Sequence, residues 1–196
     1  MFTKTKIGGL ALSLILLFAV TVQPAFAVEA DSEETNATVT FVAGNLELVS
    51  VPEFNFGSQT ISSATETYTM TNTVVPVKVS DARGSGEGWS LNVSLSPFML
   101  EDGETESLQG AYIQIENATV SAVNGTIGDA PAVAGASLQI DSDNSETPVF
   151  SAALNAGRGV WQMNWSMGDA SLVVLPGTAH PGLSTATLTW SLQAAP

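Results

Sequence analysis

The chain has 196 residues, with 19 acidic residues against five basic ones, a formal net charge of −14 and no cysteine. That balance excludes nucleic acid as a partner, because releasing counterions from phosphates requires clustered Lys and Arg, and it equally disfavours anionic lipid surfaces. Without cysteine, disulfide staples and zinc–thiolate sites are ruled out, so the fold rests on its apolar core, which a domain of this length can build.

In chain order, Lys4 and Lys6 precede an apolar run over residues 10–22, followed by Ala25-Phe26-Ala27. This is the layout of an export signal with a small-residue cleavage site, expected to be cut after Ala27. The run is shorter than the roughly 20 apolar residues of a comfortable membrane span, and no membrane insertion is expected after cleavage. Lys78, Arg83 and Arg158 are then the remaining basic residues. Residues 28–37 are acidic and aperiodic and are expected to form a flexible leader.

From Thr38 the pattern turns to short β-type runs separated by Gly, Pro, Asn and Ser. Val39 and Phe41 alternate with Thr38 and Thr40; Leu46 and Leu48 follow Gly44-Asn45; Phe54 and Phe56 end at Gly57. Runs at 66–73 and 74–79 come next, the second with Pro76 suggesting an edge or bulge. The segment 81–95 leads into Trp89-Ser90-Leu91, where Trp89, Leu91, Val93 and Leu95 share one face of a half-buried strand. Further strands are expected at 112–115, 120–123, 138–140, 149–154, 160–167 and 172–175. In the run at 160–167, Trp161, Met163, Trp165 and Met167 lie in phase. The last strand repeats the earlier motif as Trp190-Ser191-Leu192, with Ala186 and Leu188 on the same face. No run beyond the signal keeps a helical period for three turns. About ten short strands with regular turn signals predict an all-β fold, a single β-sandwich-like domain.

Each candidate for chemistry has a plainer reading. Asp141, Asp143 and Ser145 open like a calcium loop, but Glu146 stands where an EF-hand needs Gly and Ala152 where it needs Glu. A solvated acidic loop is expected, and no metal is assigned. The glycines of 84–88 open a strand, whereas a phosphate cradle opens a helix, and Glu87 would repel phosphate. His180, the one histidine, sits in a turn-like stretch with no nucleophile or metal-ligand spacing around it. The carboxylates concentrate in the leader and polar loops, so no catalytic residue and no cofactor is assigned. Asp81 and Arg83, two apart, suit an ion pair or a clamp on loop carbonyls. The four tryptophans are in phase with aliphatic residues, which favours core placement; a sugar-stacking or interface role is the alternative.

Taken together and in order, several motifs resemble the WxL domain of Gram-positive surface proteins. They are Gly44-Asn45-Leu46-Glu47-Leu48 leading to Val51-Pro52 and Phe54-Asn55-Phe56-Gly57; Val79-Ser80-Asp81-Ala82-Arg83-Gly84 running to Gly88-Trp89-Ser90-Leu91; Leu154-Asn155-Ala156; and Ala186-Thr187-Leu188-Thr189-Trp190-Ser191-Leu192. The similarity covers residues 38–196. It departs at Ser184-Thr185, where relatives often carry an aromatic.

The resemblance implies a secreted, non-catalytic protein held non-covalently at the cell wall. Its implied partners are peptidoglycan or another wall polymer, a membrane-anchored WxL-interacting protein and sortase-anchored surface proteins. The C-terminus carries no sortase signal, as expected for non-covalent attachment. Wall or partner binding carries over to Trp89, Leu91, Trp190 and Leu192, with Asp81, Arg83, Gly84 and Gly88 supporting the motif. The alternative is a pure protein-interaction subunit that docks on its membrane-anchored partner without touching peptidoglycan.

Overall fold

The computed structural model describes residues 33–195, so the expected signal and half of the leader lie outside the described residues. The chain from Phe41 onward forms one compact unit that holds every strand. Among the described residues there are fifteen strands, one 3-10 turn at Met167–Asp169 and no α-helix. The fold is therefore all-β, as the alternation predicts. The count exceeds the ten or so expected because three two-residue strands and one of three residues carry no alternation to read.

Labelled in chain order, the strands form four sheets in which every pairing is antiparallel. One sheet runs β1 (Leu46–Ser50), β3 (Val77–Asp81), β12 (Gly159–Asn164), β8 (Thr119–Val123). A second runs β10 (Ser137–Asp141), β7 (Tyr112–Glu116), β13 (Ala170–Val174), β2 (Glu66–Thr69). The third, which carries both Trp-Ser-Leu triplets, runs β15 (Leu188–Ala194), β4 (Trp89–Leu95), β11 (Thr147–Ala152), β9 (Ala132–Val133). A small fourth sheet orders β14 (Ser184–Thr185), β5 (Phe98–Leu100), β6 (Glu106–Ser107).

The arrangement is sandwich-like, and β4 lies at its heart. Trp89, Leu91, Val93 and Leu95 are all buried while the residues between them are half-buried. Val77 and Val79, Ile113 and Ile115, and Trp161 and Met163 add the same period-two faces from three other strands. On β11 the consecutive Val149 and Phe150 are both buried, which strict alternation forbids; a register shift between Pro148 and Phe150 resolves it. Pro76 stands just before β3, and its carbonyl accepts a 2.6 Å bond from the Ser50 hydroxyl where the β1 register slips.

Three expectations need correction. Val39 and Phe41 join no strand: they lie in irregular backbone with Phe41 87% exposed, because no neighbouring strand offers a ladder. Phe54 and Phe56 are likewise outside any strand; their segment is held by the Asn72 side chain and by one backbone bond from Thr71 to Asn55. Met167, in phase with Trp161 on paper, is exposed, since β12 ends at Asn164 and Met167 opens the 3-10 turn.

Candidate functional site

The two Trp-Ser-Leu triplets meet. β15 pairs with β4 along its whole length, in a register that sets Trp190 opposite Val93, Leu192 opposite Leu91 and Ala194 opposite Trp89. The two strands differ in burial because β4 has neighbours on both sides, β15 and β11, whereas β15 ends the sheet. Trp89 is 1% exposed and Leu91 is fully buried; Trp190 and Leu192 are half-buried. Core placement thus holds for Trp89. For Trp190 it gives way to a position packed against the core with part of the ring accessible, since alternation reports a residue's face but not its distance from the sheet edge.

Trp89 is fixed on three sides. Its ring meets Phe150 edge-on, with centroids 4.9 Å apart at 75°, and its Nε1 donates to the Gly157 carbonyl at 3.2 Å. The turn at 155–157 closes over it. Gly157 has φ +70°, and a Cβ there would overlap Ala152 and stand 2.8 Å from the indole nitrogen. Only glycine lets that backbone approach so closely.

Immediately before Trp89 the chain is clamped. Arg83 donates from Nε to Asp81 Oδ1 at 2.9 Å and from Nη2 to Asp81 Oδ2 at 2.8 Å, a two-pronged pair that neither side chain's exposure weakens. The same Nη2 reaches the Gly88 carbonyl at 2.7 Å, and that carbonyl also accepts the Ala195 amide at 3.2 Å. One carbonyl therefore ties the guanidinium, the start of β4 and the end of β15 together. Arg83 holds the Asp81 carboxyl below the usual carboxylate range through this hydrogen bond, against the opposing pull of desolvation.

The family model described as "WxL domain surface cell wall-binding" matches residues 22–196. This chain belongs to the WxL domain family. No curated protein and no solved structure matches it. Membership makes the molecule a cell-surface protein of a wall-binding family, which is not a family of enzymes.

Of the four residues expected to support the WxL motif, three act at the clamp. Asp81 and Arg83 form it, and Gly88, at φ +82°, takes a conformation in which a Cβ would overlap the Ala152 carbonyl oxygen. Gly84 also has a positive φ, +74°, but nothing lies within 4 Å of its would-be Cβ. Its requirement is conformational alone.

The acidic loop touches the WxL strand β4, where the Asn144 amide donates to the Leu95 carbonyl at 2.9 Å, but it gathers no site there. In the acidic loop Asp143 Oδ1 accepts the Ser145 amide at 2.8 Å, Asp141 Oδ1 accepts from Gln139, and Glu146 from Asn92. These bonds draw the carboxylates into local turns, and among the described residues no group of three His, Asp or Glu converges. His180 donates its backbone amide to Ser107 Oγ at 3.3 Å.

A cleft of about 600 Å³ opens beside the WxL strands, lined by Phe54, Phe56, Tyr68, Leu95, Phe98 and Leu188 among others. Sequence reasoning missed it. The signal was present in Phe54-Asn55-Phe56-Gly57, but nothing local foretells that this segment faces residues 179–188.

Proposed function

We propose that this WxL domain attaches non-covalently to the cell wall by direct contact with peptidoglycan and works within a surface protein complex. The observation that carries this reading is the unequal pair of motif strands: β4 is interior, while β15 presents a half-buried Trp190 and an edge with no strand beyond it among the described residues. In this reading Trp89 and Leu91 are the frame, and Trp190 and Leu192 are the contact surface. Asp81, Arg83 and Gly88 tie the start of β4 to the end of β15, and Gly84 supports them by turning the loop between. The domain boundaries that go with it are a signal peptide over 1–27, an acidic leader over 28–37 and the WxL domain over 38–196.

A second reading is favoured by the same edge. An unpaired strand offers backbone donors and acceptors to an extended segment of another protein. The domain would then dock on a membrane-anchored WxL-interacting protein, or on a sortase-anchored one, without touching the polymer. Protein charge supports this alternative, because a chain at −14 is repelled by phosphate-bearing wall polymers.

The test is sedimentation of the purified protein with peptidoglycan stripped of proteins and secondary polymers, beside whole walls with and without extracted surface proteins. Retention on bare peptidoglycan supports direct contact. Retention only when surface proteins are returned supports the docking reading and removes the first.

A further inference from the structure

The cleft beside the WxL strands differs from the rest of the molecule in its charge. The chain carries 19 acidic residues, yet no Asp, Glu, Lys or Arg lines this cleft. The smaller recess at Asp141 and Asp143, by contrast, is lined by carboxylates. The large cleft is lined by the rings of Phe54, Phe56, Tyr68 and Phe98, by aliphatic side chains, by His180 and by neutral hydrogen-bonding groups such as Gln59, Ser184 and Thr185; Glu66, which accepts the Ser62 hydroxyl at 2.8 Å, is not among the lining side chains.

Its aromatic wall is preorganised. Phe54 stacks on the buried Trp165 at 6.2 Å and 8°, and Phe56 follows Phe54 at 6.4 Å and 18°, so three rings step from the core to the cleft. The backbone carrying Phe54 and Phe56 is pinned by the neighbouring Thr71-Asn72 segment. Asn72 accepts the Asn55 amide at 2.9 Å and donates to the Glu53 carbonyl at 2.9 Å, while Thr71 donates its amide to the Asn55 carbonyl at 2.7 Å. The Asn55 side chain caps the Gly57 amide at 2.8 Å, closing the turn that ends the wall. A ring surface held this way loses little freedom when a ligand arrives.

We infer that this cleft is a binding site for uncharged, N-acetylated sugar units of the wall glycan. The inference rests on the direct wall contact proposed above and assigns it a second location, apart from β15. Ring faces suit the C–H faces of pyranoses, the neutral amides and hydroxyls suit acetamido and hydroxyl groups, and the volume lies within the roughly 300–1,000 Å³ of small-ligand clefts. The absence of charge is the discriminating feature. The acidic surface turns anionic polymers away, while a neutral sugar meets no carboxylate in the cleft to repel it or to be desolvated.

The test uses the full mature chain with the tetramer of N-acetylglucosamine, followed by amide NMR, with cellotetraose as the sugar lacking acetamido groups. Ile61 and Leu183, 49% and 58% exposed, line the cleft from two separate segments, so Ile61→Asp and Leu183→Asp add charge to it without opening the core. The expected result is that the N-acetylated tetramer shifts Gly57, Gln59 and Leu183 signals. Each variant should weaken binding at least tenfold with an unchanged melting temperature, and cellotetraose should bind at least tenfold more weakly. Absence of shifts, shifts confined to β15, binding by both variants as tight as wild type, or cellotetraose binding as tightly as the N-acetylated tetramer overturns the inference. So does protection of these residues by an extracted surface protein in place of the sugar. Retention of wild type and both variants alike on bare peptidoglycan would sink the cleft while leaving direct wall contact standing; loss of all wild-type retention alongside sugar-induced cleft shifts would do the reverse.

Discussion

Leu91 and Leu192, the leucines of two triplets far apart in sequence, stand directly opposite each other on antiparallel neighbours. The recurrence of the triplet thus reflects one strand pair with an inner and an outer member. The inner tryptophan is enclosed and the outer one half-open, so equal substitutions at the two positions have unequal effects. Trp89→Ala is expected to cost about 3–5 kcal/mol, the range for truncating a buried aromatic. Trp190→Ala should cost clearly less in denaturant titration, yet lose more wall retention per degree of melting temperature lost.

The two motif glycines separate in the same way. Gly84→Ala should cost about 1–2 kcal/mol, the penalty of a left-handed backbone for a residue with a Cβ. Gly88→Ala pays that and also drives a methyl into the Ala152 carbonyl, so overpacking adds about 1–3 kcal/mol. Urea denaturation of the two variants side by side measures the difference.

Breaking the clamp from the cationic side leaves a carboxylate whose side chain is 1% exposed without its partner. Arg83→Ala is expected to destabilise by about 3–5 kcal/mol. Circular dichroism melts check this, and Arg83→Lys should restore only part of the loss, because an ammonium cannot bond both carboxylate oxygens and the Gly88 carbonyl in the same geometry.

Acid should release the same clamp. The native pKa of Asp81 is depressed, so its stabilising contribution is complete above the unfolded value of about 4 and fades as pH falls through the lower native value. Asp102, Asp143 and Asp169 are shifted in the same direction by local hydrogen bonds, so wild type alone does not isolate Asp81. The difference in melting temperature between wild type and Asp81→Asn should be large at pH 7 and shrink below pH 4. A difference constant with pH would show that Asp81 acts through shape and not through charge.

Trp165 and Trp89 are both buried, but only the Trp89 indole has a hydrogen-bond acceptor; Trp165 Nε1 has none. Trp89→Phe should therefore cost more than Trp165→Phe by about 1–3 kcal/mol, since it strands the Gly157 carbonyl, whereas Trp165→Phe removes an unpaired donor and keeps a ring against Phe54. Equilibrium unfolding of the two variants decides it.

What the sequence disclosed follows from the range of the forces involved. Strands β4, β7 and β10 were legible because one face is buried and the other more open, which writes a period of two into the residues themselves. Strands β5, β6, β9 and β14 are too short to hold a period. Thr38 to Phe41 holds the period but finds no partner, so alternation alone did not make a strand there. The pairing of Asp81 with Arg83 was foreseeable from their spacing; its extension to the Gly88 carbonyl was not, because the loop glycines that fold it back follow no hydrophobic pattern. Trp190's half-exposure and the cleft both depend on which strand ends a sheet and which loops face each other, and these are set by contacts between distant parts of the chain.

The register of β15 on β4 also sets a timetable. Trp89 pairs with Ala194, so the central strand waits for the last one in chain order before its ladder is complete. Until then one flank of the strand that carries Trp89 and Leu91 stays unzipped, an adhesive seam open to any passing β-segment. A chain cut short before Leu188 would keep that seam open for good.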